Sequence, residues 1–118
     1  MITTTLYTGK TIAADTTVTC PRVINLRQAE YGIFTLQLIV TGDGTLTIEY
    51  LLSHDGVHFV TPVTSSAIVK DFSKTSGPDS DGIDLLPFDL ELAPDLKLKF
   101  TETGKSKSVI ITAIVATH

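Results

Sequence analysis

Three side chains able to bind a metal or move a proton stand together in "SHDGVH", residues 53 to 58. Zinc takes three or four convergent ligands, and His54, Asp55 and His58 supply at most three from a single turn. The same residues have a structural reading. Asp-Gly is a favoured turn pair, Ser53 can bond the local backbone, and Phe59 returns to the interior after the turn. The expectation is a structural turn without metal. A second cluster, "PDSDGID", spaces Asp79, Asp81 and Asp84 like the start of a calcium loop. Its twelfth position is Leu90, where such a loop needs a bidentate Glu, so an acidic solvent loop is expected instead. Asp89 and Glu91 fall on alternate positions of an expected strand, and glycosidase chemistry would need a cleft around them. Cys20 has no histidine placed by a recognisable motif. A nucleophile elbow, an H-E-x-x-H helix and a phosphate-binding glycine loop are all missing. No catalytic residue, metal or cofactor is therefore expected, and the chain reads as non-enzymatic.

The elements that carry these residues read as strands. Phe34, Leu36, Leu38 and Val40 share one face, as do Leu46, Ile48, Tyr50 and Leu52, which is the period-2 pattern of half-buried strands. Gly42-Asp43-Gly44 lies between the two runs, and its glycines suit a tight hairpin, so these strands are expected to pair as antiparallel neighbours. Further strands are expected near 2–7, 16–20, 22–26, 57–60, 66–70, 86–91, 95–103 and 108–117. Only "RQAEYG" at 27–32 could make a helical turn. About eight or nine short strands with Gly, Pro, Asp and Ser punctuation indicate an all-β fold, a single antiparallel sandwich with the jelly roll among its wirings. Phe34, Leu36, Leu38, Leu46, Ile48, Tyr50, Leu98, Phe100, Ile111 and Ala113 are the expected core.

Two segments depart from this pattern. The first 20 residues are Thr-rich with few core-forming side chains, and are expected to be an extended arm preceding a sandwich domain at 21–118. The last strand is apolar on both faces, because Ile110, Ile114 and Ala116 oppose Val109, Ile111, Ala113 and Val115. Such a strand is covered on both sides within the chain or by another subunit. Residues 71–84 lose the apolar period and read as a long surface loop.

With 118 residues, one core is expected without help from disulfides or metal. The 19 threonines and many Val, Ile and Leu favour pleated sheet. A net charge of −4 argues against phosphate-driven binding to nucleic acid. Lys97 and Lys99 alternate with Leu96, Leu98 and Phe100, as on the solvent face of a strand, while Lys105 and Lys107 follow just beyond. The single Cys20 forms no internal disulfide and fits a reducing compartment. No basic and apolar leader opens the sequence, and "VIITAIVA" is too short to span a bilayer, so no membrane partner is expected.

The stretch "VINLRQAEYGIFTLQLIVTGDGTLTIEYLLSHDGVHFVTP" at 23–62, followed by a Gly/Ser/Asp loop, "LAPDLKLKFTETG" and an apolar last strand, resembles small structural proteins of tailed bacteriophages and prophages. The likeness covers most of the chain from about residue 20 and is one of pattern. It implies a virion component assembled in the host cytoplasm: a capsid decoration protein or, alternatively, an accessory protein of the tail, head-tail connector or fibre. The implied partners are the chain itself, in a homo-oligomer with a trimer favoured, and virion proteins such as the major capsid protein. Expected contact residues are Ile110, Ile114 and Ala116 on the last strand, with Leu6 and Tyr7 on the arm. A carbohydrate-binding sandwich is the other class; it would display aromatic side chains to solvent, for which Tyr7, Tyr31 and Phe72 are the candidates.

Overall fold

The computed structural model of the chain describes residues 2–26, 34–63, 67–89 and 93–117. Its strands are β1 (Ile2–Ile12), β2 (Thr17–Thr19), β3 (Ile24–Asn25), β4 (Phe34–Gly42), β5 (Leu46–Ser53), β6 (Val69–Phe72), β7 (Ile83–Phe88), β8 (Asp95–Glu102) and β9 (Val109–Thr117). One antiparallel sheet has the order β1-β9-β4-β7, and the other β2-β8-β5-β6, with β3 following β2 along the edge of β8. Setting aside the two-residue β3, this is the wiring of a jelly roll, two four-stranded sheets built from Greek keys. The fold is thus the expected all-β antiparallel sandwich. The helical turn expected at 27–32 lies outside the described residues, as do Tyr31 and Glu91.

Alternation along each strand sends one face inward. All ten residues expected in the core are buried, and Leu36, Leu38, Leu46, Ile48, Leu98, Phe100, Ile111 and Ala113 have no accessible surface. Burying each large aliphatic or aromatic side chain is worth roughly 1.5–3 kcal/mol. The outer face of the second sheet is polar, with Lys99 Nζ 3.6 Å from Glu49 Oε1 and Lys97 Nζ 4.3 Å from the centre of the Phe59 ring.

The strand pairing differs from expectation around Gly42-Asp43-Gly44. β4 pairs with β9 and β7, whereas β5 pairs with β8 and β6. The glycine loop therefore carries the chain from one sheet to the other and closes no hairpin. The physical reason is that either pairing sends the apolar faces of β4 and β5 into the shared core, so their spacing does not select between them. Gly42 supplies φ = 87° at the corner. Gly44 lies so close to the β8–β9 corner that a Cβ would meet Lys107 O at 2.7 Å.

The first 20 residues do not form a separate arm. β1 pairs with β9 over nearly its whole length, and Leu6, Ile12 and Cys20 are buried in the common core. The segment contributes few apolar side chains but a long ladder with β9, interrupted by two register shifts, which incorporates it in the sheet. Residues 57–60 form no strand; only Val60 bridges Leu52. β7 starts at Ile83, earlier than the expected 86, because the loop before it closes on its own hydrogen bonds, with Gly82 N donating to Ser76 O at 2.8 Å.

Three sheet-crossing corners, β1–β2, β4–β5 and β8–β9, converge at one end of the sandwich on the carboxylate of Glu102, which is 1% exposed. Its Oε1 accepts the backbone N–H groups of Asp15 at 3.1 Å and Lys105 at 2.6 Å. Its Oε2 accepts those of Thr45 and Gly104, both at 2.8 Å. Burial alone would raise this carboxyl, but the N–H groups of Thr45, Asp15, Lys105 and Gly104 outweigh it and hold the pKa at about 2. The corners are also tied directly, Gly44 N to Ser108 O at 2.9 Å and Thr103 N to Thr45 O at 3.0 Å.

Candidate interaction surface

The histidine turn is built from its own side chains. Asp55 Oδ1 accepts Ser53 Oγ and the backbone N–H groups of Val57 and His58, each at 2.8 Å, while Oδ2 lies 2.7 Å from His58 Nδ1. Ser53 Oγ in turn accepts Gly56 N at 2.9 Å, and Gly56 takes φ = 75°. The His58 side chain first, then the His58 and Val57 N–H groups and Ser53, hold Asp55 well below the usual carboxylate range. Both oxygens of Asp55 are thus committed to shaping the turn. Among the described residues, no three His, Cys, Asp or Glu side chains converge as metal ligands do.

The acidic residues after the glycine-rich loop have a related role at a sheet edge. β7 is an outer strand, and Val40 N donates to Gly82 O at 2.8 Å, which sets the phase of its ladder with β4. In that phase Ile83, Leu85 and Pro87 turn their backbone nitrogens away from β4. Ile83 N donates to Asp81 Oδ1 at 3.2 Å, Leu85 N donates to Asp84 Oδ1 at 2.7 Å, and Pro87 has no N–H. The outward donors of this edge are therefore occupied or missing, which disfavours the addition of another strand. At the opposite edge Arg22 Nη1 donates to Thr5 O at 3.1 Å and covers a β1 carbonyl.

The most distinctive surface is the outer face of the β1-β9-β4-β7 sheet. Ile110, Thr112, Ile114 and Ala116 point outward from β9, flanked in register on β4 by Thr41, Ile39, Gln37 and Thr35. Ile83, Leu85 and Pro87 extend the face on β7, and Thr3, Thr5 and Thr11 on β1. No side chain at these positions ionises, in a chain with 22 charged residues (9 basic and 13 acidic). Leu85 is 61% exposed, Ile83 42% and Ile110 38%. This contiguous apolar and threonine face is the candidate interaction surface.

Of the contact residues expected from sequence, Ile110, Ile114 and Ala116 lie together on this face. Leu6 and Tyr7 do not. A bulge between Thr5 and Tyr7 turns both inward, where Leu6 joins the core and the Tyr7 ring meets Phe100 edge-on at 5.5 Å. Burial first, and then the neighbouring Cys20 thiol, push the Tyr7 phenol up to about 12. Phe72 is likewise interior, 4% exposed, and is no platform for a sugar ring. Ile39, Ile83 and Leu85 were not foreseen from sequence, because they reach the face only through the pairing of β4 and β7 with β9. The isolated signal for Leu85 was its position between two acidic residues and a proline in "DGIDLLP".

Among the described residues, no helix is long and apolar enough to cross a membrane. Comparison with known proteins finds no matching family model, no matching curated protein and no matching solved structure.

Proposed function

We propose that the protein is a non-enzymatic structural component of a bacteriophage virion, a capsid decoration protein that assembles in the host cytoplasm with itself and with the major capsid protein. The observation that carries this reading is the uncharged outer face of the β1-β9-β4-β7 sheet, which has Ile110, Ile114 and Leu85 outward in water. Such a face gains free energy when covered. The chemically capable side chains described above shape turns, corners and edges: Asp55 the histidine turn, Asp81 and Asp84 the β7 edge, Glu102 the three corners. The sequence pattern shared with small phage structural proteins supports the virion setting. Jelly-roll wiring adds a fold-level analogy only, since the same architecture serves capsids, lectins and cupins.

The test is reconstitution. Phage particles assembled without the protein are incubated with the purified chain, and the bound copies and the temperature of genome release are measured. Binding in a fixed ratio to the major capsid protein with a raised release temperature supports the reading. Failure to bind, with particles equally stable with and without the chain, overturns it. Binding on a glycan array without binding to particles would replace it with carbohydrate recognition.

A further inference from the structure

We infer that a second copy of this chain covers the outer face of the β1-β9-β4-β7 sheet, in a face-to-face dimer whose two-fold axis runs parallel to the strands. The inference rests on the self-association part of the proposed function and is independent of the particle. Three features of the face select this partner.

First, the surface is self-complementary. Its polar groups are Thr hydroxyls and the Gln37 amide, each able to donate and to accept, so an identical face offers partners for them. With no ionised side chain at its inter-strand positions, the face can meet its own copy without burying like charges. The nearest carboxylates, Asp79, Asp81 and Asp84, gather beside Gln37, Ile83 and Leu85 at the β7 side of the face.

Second, side chains engage both edges of this sheet, Asp81 and Asp84 capping two β7 donors and Arg22 holding one β1 carbonyl, that of Thr5. Growth by strand addition at these edges would displace those contacts, so association is directed to the face. Four strands at about 4.8 Å spacing and nine residues at about 3.4 Å rise span roughly 19 by 30 Å. Apposing two such faces buries about 1,100 Å² in total, below the standard size and just above the roughly 1,000 Å² that a biological interface should clear.

Third, these edges carry opposite charge. A two-fold axis parallel to the strands lays the β1 edge of one copy over the β7 edge of the other, bringing Arg22 towards Asp81 and Asp84 at both rims. An in-plane axis across the strands would set Arg22 against Arg22 and acid against acid. One rim pair adds little affinity, but the two-fold repeats it, and setting like charges against each other at both rims costs more, which selects orientation. The same axis keeps the strands aligned, as in most packed sheets. A two-fold pair therefore takes the place of the threefold ring expected for a capsid ornament.

Sedimentation equilibrium of the full chain tests this without any particle. The wild type is expected to form dimers reversibly. Leu85→Asp and Ile110→Asp should each raise the dissociation constant by about 100-fold, the scale of a charge placed in a desolvated contact. Thr19→Asp, exposed on the other sheet, should leave it within about threefold. Arg22→Glu should weaken the dimer about tenfold, and adding Asp81→Arg in the same chain should restore it. Far-UV circular dichroism checks that each variant is folded. A chain that stays monomeric at about 1 mM, a trimer, or a dimer indifferent to Leu85→Asp overturns the proposal. So does a double charge variant that fails to recover. Dimers that do not bind particles would overturn the virion reading and leave this inference intact.

Discussion

Replacing Glu102 by Gln should cost this protein a large part of its stability. The carboxylate accepts four backbone N–H groups from three corners, two on each oxygen. A glutamine amide retains one acceptor and substitutes an NH2 group for the other. Whichever way it turns, two N–H donors in a buried site face a donor, and an unsatisfied buried donor costs about 1–3 kcal/mol. The expected loss is therefore about 2–6 kcal/mol at neutral pH. The ionisation of the wild-type group gives a second measure. Its pKa falls from an ordinary 4.5 to about 2, and at about 1.4 kcal/mol per tenfold change in proton affinity this corresponds to roughly 3 kcal/mol. Because the folded value is the lower one, that contribution is fully present above pH 4.5 and is lost as the pH falls through about 2. Urea titrations at several pH values measure both quantities. Far-UV circular dichroism is the suitable probe, since the chain has no tryptophan. Other carboxylates titrate in the same range, so the informative quantity is the difference between wild type and variant. It should be largest near neutrality and shrink steadily below pH 4.5. A Gln variant within about 0.5 kcal/mol of wild type at pH 7, or a difference indifferent to acid, would refute the corner-staple argument.

Further outcomes follow from the same geometry. Gly56→Val should destabilise the fold by about 1–3 kcal/mol, because φ is 75° there and a β-branched residue is strained in that region; thermal melts beside Gly56→Asn, which tolerates it better, would show the order. Gly44→Ala should cost about 1–3 kcal/mol by driving a methyl group to 2.7 Å from Lys107 O, read as a lowered urea midpoint. Replacing His54 and His58 together by Gln should leave the chain folded and its metal content unchanged by elemental analysis, while the Asp55 carboxyl, having lost its His58 partner, titrates closer to its ordinary range by NMR. Leu38→Ala, at a site with no accessible surface, should cost about 2–5 kcal/mol in the same denaturation assay.

The sequence by itself determined which side of each strand faces inward. Side-chain direction alternates with a period of two whatever a strand pairs with, so Leu36 and Leu38, or Leu98 and Phe100, could be assigned to the core from spacing alone. The histidine turn was legible because its contacts are local: Ser53, Asp55, Gly56 and His58 interact within six residues of chain. Pairing was not legible. A glycine-rich corner suits a hairpin and a crossing between sheets equally, and only the competition among all strands for partners placed β4 beside β9 and β5 beside β8. The bulge that turns Leu6 and Tyr7 inward arises from the fit of β1 to β9, so the extended arm anticipated from composition became an edge strand of the sheet. The candidate interaction surface was half legible. The doubly apolar last strand marked Ile110 and Ile114, but Ile83 and Leu85 joined them only when β4 brought β7 into the same sheet. Glu102 was wholly hidden, because its donors come from residues 15, 45, 104 and 105, and tertiary structure alone gathers such distant backbone groups around one carboxylate.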